Sequence, residues 1–370
     1  MLSRLADSLY WMGRYVERAE NVARFIDVNT WLSLDLPEGY QEQWSPLIST
    51  TGDEALFAEH YERATKRNVI QFLTFDTRNP NSILSSIAAA RENARFARQY
   101  ITLEMWEQIN RFYFTTQTGA QSAASGFEPS QDFFSDVITA SHLFLGTLYA
   151  TMSHNEGWHF TRLGRLLERA DKTSRILDTK YYLLLPSVDA VGTPYDDIMW
   201  AAVLRSTSAF EMYRKRYQQI SPDRIVEFLV LDREFPRAIH RCLVSAEGSL
   251  HTISGTPLGT FGNPAEQYLG RLCGELNYVQ VREIISRGLH EFLDDIQVRL
   301  NLTGDAIHNA FFALQPVPVV AQYPLGDRHV QDVSDDRYRS ESAQRCFGSA
   351  VRRDLINLDV TSQFSFEGKA

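Results

Sequence analysis

The sequence is short of several things, and each shortage excludes a class of protein. Its 370 residues include three cysteines, Cys242, Cys273 and Cys346, widely spaced and odd in number. That rules out a disulfide framework and any cysteine-rich zinc site. No window approaches the length of apolar sequence that a membrane span requires. The opening stretch, Met1–Asn21, carries charge every few residues and has no apolar core of a signal peptide. Basic residues are not in excess: 37 Lys and Arg stand against 46 Asp and Glu, a formal charge of −9. Nucleic acid is therefore not expected as the main partner, nor is a membrane. Neither GxGxxG nor GxxxxGK[ST] occurs, so no glycine loop is present to cradle a phosphate. A Gly-x-Ser-x-Gly nucleophile elbow is missing as well. The expectation is a cytoplasmic protein without a bound cofactor.

Convincing strand alternation is also absent, and what is present is helical periodicity. From Ser3 to about Leu34, Leu5, Leu9, Met12, Val16, Ala19, Ala23, Ile26 and Thr30 recur at alternating steps of four and three. Trp11, Tyr15, Val22 and Phe25 widen this face to roughly 200°. The polar remainder is a narrow stripe of Arg14, Glu17, Asn21 and Arg24. Further helical patterns cover Glu54–Arg67, Asn81–Phe112, Gln131–Met152, Trp158–Leu185, Pro194–Gln219, Pro236–Ala246, Ala265–Asn301 and about Gly304–Leu314. Leu36-Pro37-Glu38-Gly39, Asn79-Pro80 and Ser221-Pro222-Asp223 read as turns, and Thr115–Pro129 as a small-residue loop. The fold class expected is all-α.

An internal repeat organises these helices. Met12–Asp27 (MGRYVERAENVARFID) matches Leu163–Asp178 (LGRLLERADKTSRILD), with Gly13/Gly164, Arg14/Arg165, Glu17/Glu168, Arg18/Arg169, Ala19/Ala170, Arg24/Arg175 and Asp27/Asp178 identical. Farther on, VIQFLTFDTRNPNSI from Val69 matches IVEFLVLDREFPRAI from Ile225, sharing Phe72/Phe228, Leu73/Leu229, Asp76/Asp232, Pro80/Pro236 and Ile83/Ile239. The order is kept. A tandem duplication is expected, with repeats of about 1–151 and 152–312 in a domain spanning 1–314 and related by a pseudo-two-fold. Residues 315–370 lack lasting periodicity and are expected to form an irregular or disordered tail.

The run Leu9-Tyr10-Trp11-Met12-Gly13-Arg14-Tyr15-Val16-Glu17-Arg18-Ala19-Glu20 resembles the alpha-E domain family, helical bacterial proteins named for a Glu-Arg pair. Ala90-Arg91-Glu92-Asn93-Ala94-Arg95, LGRLLERADKTSRILD and FLVLDREFPRAI look like further blocks of that family. The resemblance covers about residues 1–312. It implies an association with circularly permuted ATP-grasp ligases and transglutaminase-like proteins, and a role in peptide synthesis or modification.

The candidate site is the duplicated R-x-x-E-R. On a helix, Arg14, Glu17, Asn21 and Arg24 stand one above another, with Arg18 about 100° to the side. Because the same helix is apolar around most of its girth, the stripe should face a groove between the repeats. There Arg14, Glu17, Arg18, Asn21 and Arg24 should meet Arg165, Glu168, Arg169 and Arg175, with Arg91 and Arg95 as an added wall. Three functions fit this pattern. An arginine-lined groove would bind a carboxylate or phosphate. Glu17 or Glu168 would serve as an acid–base group in a stand-alone enzyme. Alternatively, the Glu-Arg pairs would be internal clamps of a structural interaction module. The histidines of His154-Asn-Glu156-Gly-Trp-His159 are five apart rather than four, so they do not make a zinc HExxH. Glu156-x-x-His159 and Asp305-x-x-His308 lack the further carboxylates of a di-iron bundle. No metal site is expected.

Overall fold

The computed structural model describes residues 1–35, 43–183 and 194–313. In chain order the helices are α1 (Ser3–Asp35), α2 (Ser45–Thr51), α3 (Glu54–His60), α4 (Lys66–Thr74) and α5 (Ile83–Phe96). They continue with α6 (Leu103–Ala124), α7 (Gln131–Thr151), α8 (Glu156–Leu183), α9 (Pro194–Ser206) and α10 (Phe210–Tyr217). The last five are α11 (Pro222–Val226), α12 (Ile239–Ser254), α13 (Pro264–Tyr278), α14 (Val281–Arg287) and α15 (Leu289–Ile307). Single π-helical turns follow α11 at Glu227–Leu231 and α15 at His308–Phe312. No strand occurs among the described residues, so the chain is all-α.

The two motif-bearing helices, α1 and α8, pack against each other more extensively than any other pair. On its other sides α1 meets α5 and α7, while α8 meets α12 and α15. Helix α6 lies against α5 and α7, and α13 lies against α12 and α15. The periodic residues of α1 follow from this burial: Leu5, Leu9, Met12, Val16, Ala19, Ala23 and Ile26 are all in the core. Trp44, Trp158 and Trp200 are buried too, and Trp11 and Trp106 pack on the core's edge.

Several boundaries differ from the sequence expectation. Thr115–Pro129 is a loop only over residues 125–129: α6 runs on through Ala124. Its small residues serve packing, since a Cβ on Gly119 would lie 2.4 Å from the ring of Phe133 on α7. The Asn81–Phe112 pattern is two helices, broken before Thr102, whose hydroxyl accepts a bond from the Met105 N–H and caps α6. Ala265–Asn301 is likewise three helices, with a second start at the Gln280/Glu283 capping box and a positive-φ Gly288 between α14 and α15. Glu54–Arg67 and Pro194–Gln219 each divide in two, and Pro236–Ala246 begins later, at Ile239, and ends later, at Ser254. The expected tail, 315–370, and the Leu36–Gly39 turn lie outside the described residues.

Gly13 and Gly164 set how closely α1 and α8 approach. A Cβ on Gly13 would stand 2.2 Å from the carbonyl oxygen of Thr161 on α8. One on Gly164 would stand 2.2 Å from the carbonyl oxygen of Tyr10 on α1. Both obstacles are backbone, so no rotamer change relieves them. Gly13→Ala or Gly164→Ala should therefore force the helices apart and cost about 1–3 kcal/mol. The expected readout is a lower urea midpoint with unchanged far-UV helicity.

Candidate functional site

Because α1 and α8 are in contact at their motifs, the polar stripes meet inside the protein rather than across an open face. Glu168, fully buried, accepts Arg14 Nε at 2.8 Å and the Nε and Nη2 of Arg18 at 2.7 and 3.1 Å. Glu17, equally buried, accepts Arg169 Nε and Nη2 at 2.8 and 2.7 Å. Each helix thus places its glutamate on the other helix's arginine. These forks are bidentate, the strongest geometry for such pairs.

Each glutamate has further partners. Arg237 donates Nη1 to Glu17 at 3.2 Å and to Asn21 Oδ1 at 3.0 Å, and its Nη2 reaches Glu20. Asn21 in turn donates to Glu17 Oε1 at 3.1 Å. Glu20 also takes Arg24 Nη2 at 2.6 Å and lies 3.1 Å from His142 Nε2. On the Glu168 side, Lys172 Nζ stands 3.9 Å from that carboxylate and 3.3 Å from Asp171, which Arg175 Nε also holds at 3.0 Å. Arg18 Nη1 donates to Asn81 at 2.6 Å, and Asn81 donates to the buried Asp53 at 2.8 Å.

Local structure explains how Arg237 arrives there. Asp232 ends the π-helical turn after α11 and accepts the N–H groups of Glu234 and Phe235 at 2.8 and 2.6 Å. That tight turn carries Pro236 and Arg237 onto the start of α12, where the carbonyl of Arg237 accepts a bond from Thr173 of α8 at 3.0 Å.

Of the expected residues, Arg14, Glu17, Arg18, Asn21, Arg24, Glu168, Arg169 and Arg175 enter this network through the bonds given above. Arg165 lies on α8 next to it, but its Nη2 goes to the Tyr149 hydroxyl at 3.2 Å and its Nε has no partner. Arg91 and Arg95 do not form the expected wall. Arg91 bonds to Asn110 at 2.7 Å and stacks on Tyr113, while Arg95, largely exposed, bonds to Glu92 at 2.8 Å. Sequence reasoning missed Glu20, Asp171, Lys172, Arg237, Asn81, Asp53 and His142. Arg237 had a legible cue: it sits in the second repeated block opposite Asn81, and both contact the motif of α1.

The Glu-Arg pair at the centre of this arrangement is the motif that a known family is described by. The family model for alpha-E, described as a predicted alpha-helical domain with a conserved ER motif, matches residues 1–312. The chain belongs to the alpha-E family. An uncharacterized protein of Mycobacterium bovis is 24% identical over 272 residues, 68% of this chain and 30% of that relative. Two uncharacterized proteins of Mycobacterium tuberculosis strains are 24% and 23% identical over the same length. The match spans about 30% of the length of these relatives. No solved structure matches the chain significantly.

In this alpha-E chain the electrostatics of the pair are those of a clamp. Burial works against the charge on Glu168, but Arg18, Arg14 and Lys172 overcome it and hold the carboxyl well below 4.5. For Glu17 burial is likewise opposed, by Arg169 and Arg237, and its pKa falls. Burial pushes Lys172 down and Asp53 up. Four buried cations (Arg165, Arg169, Lys172 and Arg237) and four half-buried ones (Arg14, Arg18, Arg24 and Arg175) thus surround five buried carboxylates (Glu17, Glu20, Asp53, Glu168 and Asp171). The two described cavities lie elsewhere: one of about 510 Å³ at Asn263, Tyr268 and Asp305, and one of about 50 Å³ at Phe25, Asn29 and Thr179. His154 stacks on Trp158 at 4.1 Å, Glu156 pairs with the terminal amine at 3.0 Å, and among the described residues no three metal-ligating side chains come together.

The glutamates bind their protons less readily in the folded state than in the unfolded one. Their stabilisation is therefore full above 4.5 and drains away as pH falls through the lowered folded values. Melting temperature should drop steeply below about pH 4. Glu168→Gln should cost about 3–5 kcal/mol at pH 7, since it strands buried arginines, and should flatten the acid limb of the same melting curve.

Proposed function

We propose that this chain is the helical component of a peptide- or amide-bond-forming or -modifying system in the cytoplasm. In this reading it works with an ATP-grasp ligase, and with a transglutaminase-like protein where one is present. The arginines at the edge of its internal α1–α8 network, with the buried Arg165 beside them, receive an anionic group, such as a substrate or peptide carboxylate. The bond-making nucleotide chemistry belongs to the ligase. The helical chain supplies proximity.

The observation that carries this reading is the surplus of cations over carboxylates in the α1–α8 network, centred on a buried Arg165 with no carboxylate among its described bonds. The excess comes from Arg14, Arg18, Arg24 and Arg175, which are half-buried, and a positive excess at a partly desolvated site favours an anion as its counter-charge. The relatives support a modular role, since the matched segment makes up 30% of their length. The acid–base alternative is less well served: Glu17 and Glu168 are each gripped on both oxygens by arginine, which favours the ionised form. The clamp alternative has real support in the reciprocal pairs. Clamp and anion face are compatible, because Arg165 takes no part in the pairs.

We also read residues 1–314 as one domain made by tandem duplication. The seven identities between the two motifs support this, as do the reciprocal Glu–Arg forks and reciprocal glycine contacts.

The test is co-expression with the ATP-grasp ligase of a neighbouring gene. The two proteins should co-purify, and mass spectrometry should detect an amide product that needs ATP and both chains. A ligase that forms the same product at the same rate alone would overturn the proposal.

A further inference from the structure

The network uses one edge of the guanidinium group repeatedly. Arg169 grips Glu17 through Nε and Nη2, and Arg18 grips Glu168 through the same two nitrogens. Arg165, one turn before Arg169 on α8, presents that edge with no carboxylate on it. Nη2 donates to the Tyr149 hydroxyl at 3.2 Å, and the buried Nε is unpartnered. The residue is only 6% exposed, so water is a poor substitute. Burial, then the charge of Arg169, push its pKa down. The matching arginine of the first motif, Arg14, has its Nε on Glu168. Two residues identical in sequence therefore differ in charge balance.

Access points to Tyr149, at the end of α7, which is 43% exposed. Its ring packs edge-on against Trp158 at 5.2 Å, and the buried indole N–H of Trp158 has no partner either. One exposed side chain thus packs against two buried residues that each carry a donor without an acceptor.

We propose that Arg165 is a carboxylate-binding residue whose Nε–Nη2 edge takes both oxygens of a ligand carboxylate, displacing the Tyr149 hydroxyl. This deepens the anion-binding reading above and rests on it. A carboxylate suits the site better than phosphate on two counts. Its planar fork matches the planar edge, and its single charge balances the single uncompensated guanidinium. A peptide C-terminus and a small free carboxylate offer the same group.

Calorimetric titration of the full chain distinguishes these sources, using N-acetyl-alanyl-alanine, its C-terminal amide, acetate and inorganic phosphate. The dipeptide acid should bind and the amide should not. Acetate binding as tightly as the dipeptide acid would assign the site to small carboxylates. Arg165→Met should weaken carboxylate binding by about tenfold or more, yet melt at or above the wild-type temperature, because it removes an uncompensated buried charge. Tyr149→Phe should tighten binding, since Nη2 loses its competing acceptor. Carboxylate binding that survives Arg165→Met would overturn this site while leaving the anion reading intact. Wild-type protein that binds neither acetate, phosphate nor the dipeptide acid would overturn both. Tighter binding of phosphate would overturn the carboxylate assignment. Unfolding of Arg165→Met would make that arginine a structural member, and unchanged or weaker binding by Tyr149→Phe would overturn the displacement independently.

Discussion

The arrangement of this protein depends on exchanging two buried glutamates between two helices. A carboxylate taken out of water is costly unless its charge is met by a partner in good geometry. Glu17 and Glu168 each find their bidentate partner on the opposite helix, through Arg169 and through Arg18 with Arg14 beside it. The bonds are short because the helix backbones nearly touch, and they touch because Gly13 and Gly164 have no side chain. Contact, burial and pairing are therefore one constraint. Removing any of the three leaves a charge stranded.

That constraint shapes what the site can do chemically. A carboxylate gripped on both oxygens by guanidinium groups is a poor proton acceptor, so the motif glutamates serve as anchors. The cations held around them are a different matter. Arg237, delivered by the turn at Asp232, and Lys172, on α8 beside Asp171, extend the network to two further carboxylates, Glu20 and Asp171. Arg165 is left facing a phenol. The buried acids are thoroughly compensated, and the cations left over at the half-buried edge of the network carry the anion-binding proposal.

Much of the fold was legible from the spacing of apolar residues. The four-and-three rhythm from Leu5 to Ile26 identified α1 and its buried face, and the matched motifs singled out α8 as its counterpart. Helix breaks were less legible. Thr102 and Gln280 begin new helices inside patterns that read as continuous, because a cap is a local hydrogen bond that hydrophobic periodicity does not register. The run from Thr115 read as a loop because its residues are small, but it is helical through Ala124, and its Gly119 leaves room for the ring of Phe133 on α7.

The candidate site divides in the same way. Sequence alone determined that Arg14, Glu17 and Arg18 share a helix with an apolar girth, and that Arg165, Glu168 and Arg169 repeat them. Periodicity can say which residues line one face of a helix. It cannot say which of several identical arginines reaches a given glutamate, since that depends on the crossing of two backbones far apart in the chain. Tertiary structure decided that Arg91, half-buried with Asn110, and the exposed Arg95, bonded to Glu92, stay outside the network. It also decided that Arg237 enters the core, and that Arg14 is neutralised by a carboxylate while its counterpart Arg165 meets only a hydroxyl.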